Sequence, residues 1–363
     1  MSVVGQENDG LLKETQTDTE IVSCPNCGAN MVFDPESQSL KCAYCRSIVS
    51  FDTENAEEID FNSGITSDRE WTADEAVVFC CDNCGAKVVL AKGETTKFCP
   101  FCGTAHVQKT EELPGLKPNG VVPFAFSKDK AIEYSKAWAK KRFFAPRKFK
   151  KNICTDSVNG VYTPTFTFDS NTVSFYQGRI GRTHTRTVGS GKNRRVQTYV
   201  VWRNISGRYD NQYDDVLVTA GTKFGQKELD KVSPYDTNAS KEYDENFLFG
   251  FMAYHYDIEI SDCWNSAKGR MDKSIRRGIL SRYSYDRLAY LNVSTTHDNV
   301  KYKYVMLPVY VGNYRFKDKL FNFFVNGKTG KVAGKTPKSW LKILLTALFG
   351  VALVVGIYLL SQL

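Results

Sequence analysis

The chain has 363 residues, of which 42% are hydrophobic and 24% are charged. This composition excludes a wholly disordered chain and a membrane protein with many spans, and the length suffices for two or three domains. Residues 1–120 carry 9 basic and 20 acidic side chains, and residues 121–363 carry 39 and 20, so the net charges are −11 and +19. Halves of opposite charge indicate separate modules and exclude a uniformly basic nucleic-acid-binding protein.

The first twenty residues are polar and are predicted to form a disordered tail, residues 1–20. They contain neither the basic start nor the apolar run of a secretory signal peptide. The eleven cysteines are therefore expected in a reducing compartment, where disulfide bonds are rare.

Eight of the cysteines form four C-x-x-C pairs, arranged as two copies of one unit with a constant offset of 57 residues. Fourteen residues separate the two pairs within each copy. Such paired spacing is typical of zinc ligands. The predicted ligands are Cys24, Cys27, Cys42 and Cys45 in the first copy, and Cys81, Cys84, Cys99 and Cys102 in the second.

Four thiolates fill a tetrahedral zinc shell, so the sequence predicts two structural Zn²⁺ ions in two small zinc ribbons, residues 21–50 and 77–110. Gly28 and Gly85 follow a ligand at a position where a positive φ is often needed. Short strands are expected at 31–34 and 40–42, and again at 87–90 and 95–98. A thioredoxin-like redox site would need a βαβ setting that is missing, and a catalytic zinc would need an open ligand position, which His106 cannot provide beside four thiolates.

The three remaining cysteines have no ligand pattern. Cys154 and Cys263 are expected to be small buried hydrophobic residues. The repeat assigns Cys81 as the ligand, which leaves open whether the adjacent Cys80 has any role.

Residues 51–76, between the ribbons, form an acidic linker: nine acidic residues and one basic residue occur at 52–75. This composition predicts an extended, solvated tether.

Residues 121–335 are rich in Tyr, Phe, Val and Thr, which predicts one α+β domain with a mainly antiparallel sheet. Helices are expected at 127–143, with Ser127 as the cap, and at 261–282. Two strands, 172–187 and 196–209, are expected to form a hairpin around Gly189-Ser190-Gly191, with further strands at 160–168, 213–220, 306–314 and 320–326. His184, His255 and His297 are scattered and are expected to be structural.

Two basic clusters stand out in this domain. Residues 136–151 include eight basic side chains and no acidic one, and residues 179–195 form a second cluster in the predicted hairpin. Each is compatible with a solvated surface, with a membrane-adjacent surface facing lipid phosphates, or with binding to nucleic acid or to the acidic ribbons of the same chain.

Residues 341–360 predict a C-terminal transmembrane helix. Eighteen of them, 343–360, are uncharged, and twenty helical residues measure about 30 Å, the thickness of a bilayer core. Trp340 and Tyr358 lie near the expected interfaces, and Lys342 could reach back to the headgroups. A buried core helix is the alternative, but only three residues follow this segment. Five lysines and no acid at 328–342 predict that the bulk of the chain stays in the cytoplasm, with a single-pass anchor in the cell membrane.

The sequence contains none of the phosphate-loop, dinucleotide, metalloprotease or serine-hydrolase motifs, and we therefore expect no enzyme activity. An enzyme site in the β-rich domain remains the least supported alternative.

Several segments together resemble the membrane-anchored double zinc-ribbon proteins of bacteria, often labelled TFIIB-type zinc-ribbon proteins. Beyond the ribbons, the resemblance rests on Val122-Pro123-Phe124, Phe144-Ala145-Pro146, Gly160-Val161-Tyr162-Thr163-Pro164, Leu307-Pro308-Val309-Tyr310 and the stretch 325–332. The basic hairpin at 179–195 departs from the family pattern.

The resemblance implies an adaptor encoded with PspA-type and SPFH-domain, virion-core-like proteins in envelope-stress operons. On this hypothesis the protein recruits cytosolic partner proteins to the lipid bilayer, which it enters through its C-terminal helix. The alternative is a membrane-tethered nucleic-acid-binding protein, which a steep salt dependence of DNA binding would favour.

Overall fold

A computed structural model describes residues 22–63, 71, 76–91, 96, 98–105, 107–110, 115–152, 158–316 and 319–362. The tail predicted at residues 1–20 lies outside this range, as do Cys154 and His106. The strands are β1 Met31–Asp34, β2 Ser39–Cys42, β3 Ile48–Val49, β4 Ile59–Asp60, β5 Ala76–Cys81, β6 Lys87–Ala91, β7 Val107–Lys109, β8 Gly120–Val121, β9 Val158–Val188, β10 Arg195–Tyr213, β11 Val218–Thr219, β12 Lys241–Glu242, β13 Met252–Tyr254, β14 Arg287–Phe316, β15 Lys319–Asn326 and β16 Val332–Gly334. The helices are α1 Lys128–Lys140, α2 Arg147–Asn152, α3 Gln226–Val232, α4 Ile260–Ser281 and α5 Trp340–Leu360.

Two very long antiparallel strands, β9 and β14, form the spine of the main sheet. Along the outer edge of β14 lie β15, β8 and β4 in turn, and along the outer edge of β9 lie β13, β11 and β10. Most of these pairs are antiparallel, whereas β8 and β13 run parallel to their spine strands. The predicted α+β fold with a mainly antiparallel sheet is confirmed.

The predicted hairpin is present and longer than expected. Strand β10 pairs with β9 from Arg195↔Val188 down to Tyr213↔Ser170, and β14 covers the other edge of β9 as far as Arg287↔Gly181. Residues 172–213 with residues 287–298 thus form a three-stranded extension, which we call the arm. Helix α4 packs Ile275 and Ile279 against one face of the arm, on Tyr176, Ile180, Ile205 and Leu291.

Both predicted helices of the domain form close to their expected bounds. Ser127 occupies the N-cap position of α1, but its side chain makes no capping hydrogen bond. Helix α1 buries Ala131, Ser135, Trp138 and Ala139. Helix α4 buries one residue per turn, because its apolar residues recur at helical spacing: Cys263, Ala267, Met271, Ile275 and Ile279.

The described first part of the acidic linker, residues 51–63, differs from the predicted solvated tether, and residues 64–70 and 72–75 lie outside the described residues. Phe51 packs on Phe33 and Phe247, with ring centroids 6.2 and 5.0 Å apart. Strand β4 pairs with β14, and Phe61 lies 5.6 Å from the ring of Trp264. Apolar side chains among the acids gain more from burial than the linker would gain from remaining extended.

The strands of the second ribbon also belong to the main sheet. Strand β5 pairs with β6 and β7, and β6 pairs with β13, so this ribbon is continuous with the body. The first ribbon has its own three-stranded sheet, in the order β1-β2-β3. The strand expected at 95–98 does not form at its described residues, 96 and 98.

Candidate metal centres

The first cysteine cluster lies at the end of the small sheet. Four thiols converge there: Cys24 Sγ is 3.4 Å from Cys45 Sγ, and Cys27 Sγ is 3.5 Å from Cys42 Sγ. All four sulfurs lie within 4.8 Å of one another. These separations are too long for a disulfide bond of about 2.05 Å.

The second cluster has the same form. Cys81 Sγ lies 3.6 Å from Cys102 Sγ, and Cys84 Sγ lies 3.6 Å from Cys99 Sγ. Four sulfurs bound tetrahedrally at about 2.3 Å from one zinc ion would lie about 3.8 Å apart. Both clusters therefore fit a closed four-thiolate metal site.

One backbone turn builds all four C-x-x-C knuckles. In each, the first cysteine N–H donates to the carbonyl oxygen five residues later, and the N–H of the residue that follows the second cysteine donates back to the first cysteine carbonyl. The turn requires a positive φ at this residue after the second cysteine. The residues with this φ are Gly28 (73°), Arg46 (63°), Gly85 (68°) and Gly103 (71°).

The sequence indicated Gly28 and Gly85 but missed Arg46 and Gly103. Gly103 could have been found, because it follows Cys102 as Gly28 follows Cys27. Arg46 gives no such signal, since a non-glycine residue rarely adopts this conformation.

The first cluster faces outward. Cys27 and Cys45 are exposed, and the adjacent Tyr44 side chain is 82% exposed. The ribbon is held by the body on its buried side, where Cys24 and Cys42 lie: the Phe33 N–H donates to the Phe249 carbonyl at 2.9 Å, and Gln38 Nε2 donates to the Phe124 carbonyl at 2.7 Å. The knuckles of the first ribbon are therefore accessible from solution.

The second cluster is built into the body. Cys81 and Cys99 are buried, and the neighbouring Phe101 ring packs on Tyr254 with centroids 4.9 Å apart. Asn313 Nδ2 donates to the Pro100 carbonyl at 2.9 Å, and Lys223 Nζ donates to the Cys84 carbonyl. The Lys223 cation reduces the cost of placing negative thiolates here.

One thiol of the second cluster, Cys102, has a lowered pKa. Burial opposes ionisation of Cys102, but hydrogen bonds from the Thr104 backbone and the Asn83 side chain outweigh burial and lower its pKa to about 7. A thiol of lowered pKa supplies the thiolate form that a metal ion binds.

All eight predicted ligands are thus brought together in two groups of four. Cys80 lies in β5, partly exposed, and belongs to neither group, and Cys263 is buried in α4 as expected. His184 stacks on Tyr199, and His297 Nδ1 lies 3.3 Å from Ser170 Oγ, so both contact the sheet rather than the clusters.

A third group of ionisable side chains was not predicted, because its members come from distant segments. Glu58, Asp169 and Asp214 bring carboxylate oxygens within 4.8 Å of one another. Lys303 Nζ lies 3.7 Å from Glu58 Oε1 and 3.1 Å from Asp215 Oδ1, so a cation already stands beside these acids.

Helix α5 is the one helix in the described part of the chain that is long and apolar enough to cross a membrane. None of its residues is buried against the body. Lys342, which was predicted to reach back to the headgroups, donates from its Nζ to the carbonyl oxygens of Phe143 and Ala145 at 3.0 and 2.8 Å.

The chain is similar in sequence to a known bacterial protein. The chain is 30% identical over 323 residues to the uncharacterized protein YdjG of Bacillus subtilis (strain 168), covering 88% of this chain and 91% of that protein. No family model matches the chain, and no solved structure matches it.

Proposed function

The chain belongs to the family of YdjG, and we propose that it is a zinc-ribbon adaptor anchored in the cell membrane by α5. In this proposal the two cysteine clusters hold structural Zn²⁺ ions, the body lies in the cytoplasm, and the first ribbon binds a cytosolic protein. No catalytic role is assigned.

Zinc is the ion that the donor set favours. Four thiolates in a closed tetrahedral arrangement suit Zn²⁺, which has no redox chemistry and is held in this way in structural sites. The metal would fix the relative positions of the two knuckles in each ribbon. A ribbon of this size cannot bury a large core, so metal binding would supply much of its folding free energy.

The observation that carries the membrane part of the proposal is the exposure of α5. None of the residues described by the structure covers this 21-residue helix, which has apolar side chains on every face. Water is an unfavourable environment for such a surface, and a bilayer is a favourable one. The lysines at 328–342 favour a cytoplasmic body, because cytoplasmic flanks of membrane helices are enriched in basic residues.

The adaptor part rests on the free face of the first ribbon. Tyr44 and Ile48 are exposed apolar side chains on a small rigid unit, beside two exposed cysteines. Exposed aromatic residues on a rigid support are typical anchors of protein interfaces. From the family resemblance, the expected partners are soluble SPFH-domain and PspA-type proteins of envelope-stress systems.

Membrane fractionation of the native host tests both parts of the proposal. Deleting residues 343–363 should release the protein and its partner to the soluble fraction. A Tyr44→Ser/Ile48→Ser variant should remain in the membrane fraction while the partner becomes soluble. The matched control, Phe175→Ser/Val196→Ser, removes two exposed apolar residues of the arm and should retain the partner. A partner that stays at the membrane without α5 contradicts recruitment.

A second candidate function, nucleic-acid binding, is favoured by the arm. Residues 172–213 carry eight basic side chains and one acidic side chain. On the arm face away from α4, Arg208 lies over the ring of Phe175 at 6.0 Å and Arg179 over Trp202 at 5.8 Å. Exposed aromatic rings among arginines suit stacking on single-stranded bases.

An oligonucleotide titration distinguishes this function from the adaptor. The full chain in neutral micelles should bind a labelled single strand, with an affinity that falls steeply between about 50 and 200 mM salt. Arg179→Gln/Arg208→Gln should weaken that binding. No binding at the lower salt concentration excludes the nucleic-acid function.

A further inference from the structure

The turn between α1 and α2 is bonded directly to the start of α5. The Ser339 N–H donates to the Phe144 carbonyl at 2.8 Å, and Lys342 Nζ donates to the carbonyls of Phe143 and Ala145. The turn is therefore fixed at the level where α5 begins.

Three aromatic rings are exposed at this level. Phe143 is 65% exposed, Phe144 is also exposed, and Trp340, the first residue of α5, is 72% exposed. The rings of Phe143 and Phe144 contact each other edge to face, with centroids 5.2 Å apart. Exposed adjacent aromatic rings are costly in water but are common where proteins meet the membrane interface.

Exposed basic side chains lie in both segments that carry these rings. The exposed basic side chains are Lys136, Lys140, Lys141, Arg142, Arg147, Lys148, Lys335 and Lys338. No acidic residue occurs at 136–151 or at 328–342. The nearest acids of α1, Glu133 and Asp129, lie about two and three turns before Lys140.

We propose that this surface, which we call the collar (residues 140–150, 335, 338 and 340), is a second membrane contact that binds anionic lipid headgroups. The inference rests on the proposed membrane-spanning role of α5. If α5 crosses a bilayer, the hydrogen bonds to Ser339 and Lys342 hold the collar at its surface. The aromatic rings then lie at the headgroup boundary, and the lysines and arginines face the lipid phosphates.

The collar would fix the orientation of the body relative to the membrane, which a single helix cannot do. One helix leaves a protein body free to rotate and tilt about its anchor. Contacts from the α1–α2 turn fix the side of the body that faces the membrane, and therefore the direction in which the first ribbon points. The collar would make this orientation depend on the anionic lipid content of the bilayer.

Amide hydrogen exchange of the full chain in lipid nanodiscs tests the inference. The two samples are discs of pure phosphatidylcholine and discs in which about one-third of the lipid is phosphatidylglycerol. We expect exchange at residues 141–149 to be slower, on the order of tenfold, in the discs that contain the anionic lipid. The variant Lys140→Gln/Lys141→Gln/Arg142→Gln should lose that difference. The control Arg182→Gln/Arg186→Gln/Arg194→Gln, on the arm, should retain it.

Two further measurements distinguish lipid binding by the collar from binding of free anions and from anchoring by α5 alone. Inorganic phosphate added to phosphatidylcholine discs should not slow exchange, and equal slowing by phosphate would overturn lipid recognition in favour of a free-anion site. Resistance of the protein to alkaline carbonate extraction reports on α5 alone. A protein that resists extraction but shows no lipid-dependent exchange at 141–149 refutes the collar and leaves the anchor standing, whereas extraction by carbonate refutes the anchor itself.

Discussion

Lys303 Nζ lies 3.1 Å from Asp215 Oδ1 in the middle of the main sheet. The Lys303 side chain is only 4% exposed, so the pair is largely removed from water. Glu58, from the acidic linker, approaches the same ammonium group at 3.7 Å. Lys303 of β14 therefore contacts both Asp215, which lies just after the arm, and Glu58, which lies in the linker between the two ribbons.

We expect Lys303→Met to destabilise the protein by about 3 kcal/mol, because it leaves the Asp215 carboxylate without its buried partner. Thermal unfolding of the full chain in detergent micelles measures the effect. Lys301→Met is the matched control: Lys301 also pairs with Glu58, at 3.2 Å, but its side chain is 41% exposed, so its loss should cost less than ~1 kcal/mol. Adding Asp215→Asn to Lys303→Met should restore part of the stability. If Lys303→Met and Lys301→Met lost equal stability, the burial of Lys303 would have no special role.

The second prediction concerns pH. Burial, with help from the Glu58 carboxylate, raises the pKa of Asp169 to about 7, whereas an unfolded aspartate has a pKa of about 3.9. The folded state therefore holds a proton that the unfolded state releases, and the stability that this proton provides is lost as pH rises from about 4 to 7.

The variant Asp169→Asn should remove this pH-dependent loss of stability. The Asp215 N–H, which donates to Asp169 Oδ1 at 2.7 Å, can still donate to the amide oxygen. We expect the variant to be more stable than the parent at pH 8, by on the order of 2–4 kcal/mol, since each pKa unit corresponds to about 1.4 kcal/mol. Melting temperatures at several pH values provide the measurement, and an advantage that stays constant between pH 4 and 8 would show that Asp169 does not titrate in this window.

The third prediction concerns metal content. Purified full-length protein should contain two zinc ions per chain, one for each cysteine cluster. Cys81→Ser should reduce the content to about one, because three thiolates hold structural zinc poorly. The adjacent Cys80 lies outside the cluster, so Cys80→Ser should leave both ions in place. Equal loss from the two variants would exclude the assigned ligand set.

The two sites should release metal at different rates. Both clusters have two buried cysteines, but Cys27 and Cys45 of the first are exposed, whereas the matching Cys84 and Cys102 of the second are only partly exposed. A chelator that absorbs visible light on binding zinc should reveal two phases, the faster from the first site, because opening the second requires disruption of the main sheet. Cys42→Ser should eliminate the fast phase. Loss of the slow phase in that variant would reverse the assignment.

The knuckle turns give a fifth prediction. Arg46 adopts a φ of 63°, where a side chain costs about 1–2 kcal/mol relative to glycine. Arg46→Gly should therefore strengthen zinc binding at the first site. Gly28→Ala should weaken it by a similar amount, because an added methyl group has open space but the backbone φ of 73° disfavours it. Competition with a chelator of known affinity compares the variants.

The cysteine clusters could be predicted because the ligand spacing is local and duplicated. Each knuckle needs only six residues to close, and both ribbons repeat the pattern. The hairpin β9–β10 and helices α1 and α4 could be predicted for the same reason, since their periodic patterns lie in continuous segments.

The linker could not be predicted correctly from composition. Its acids outnumber Phe51, Ile59 and Phe61, yet these three residues determine where the segment lies. The group of acids near Lys303 was also hidden, because Glu58, Asp169 and Asp214 come from three segments far apart in sequence. Long-range pairing of this kind leaves no local pattern.

The length of β14 sets the scale of the whole assembly. Its 30 residues, at about 3.3 Å each, extend for at most ~100 Å, whereas a helix such as α5 is only about 10 Å wide. If α5 spans a bilayer as proposed, the membrane area that each copy occupies would depend on the reach of its arm rather than on the width of its anchor. Close packing of several anchors would then require neighbouring arms to stand upright or to interleave.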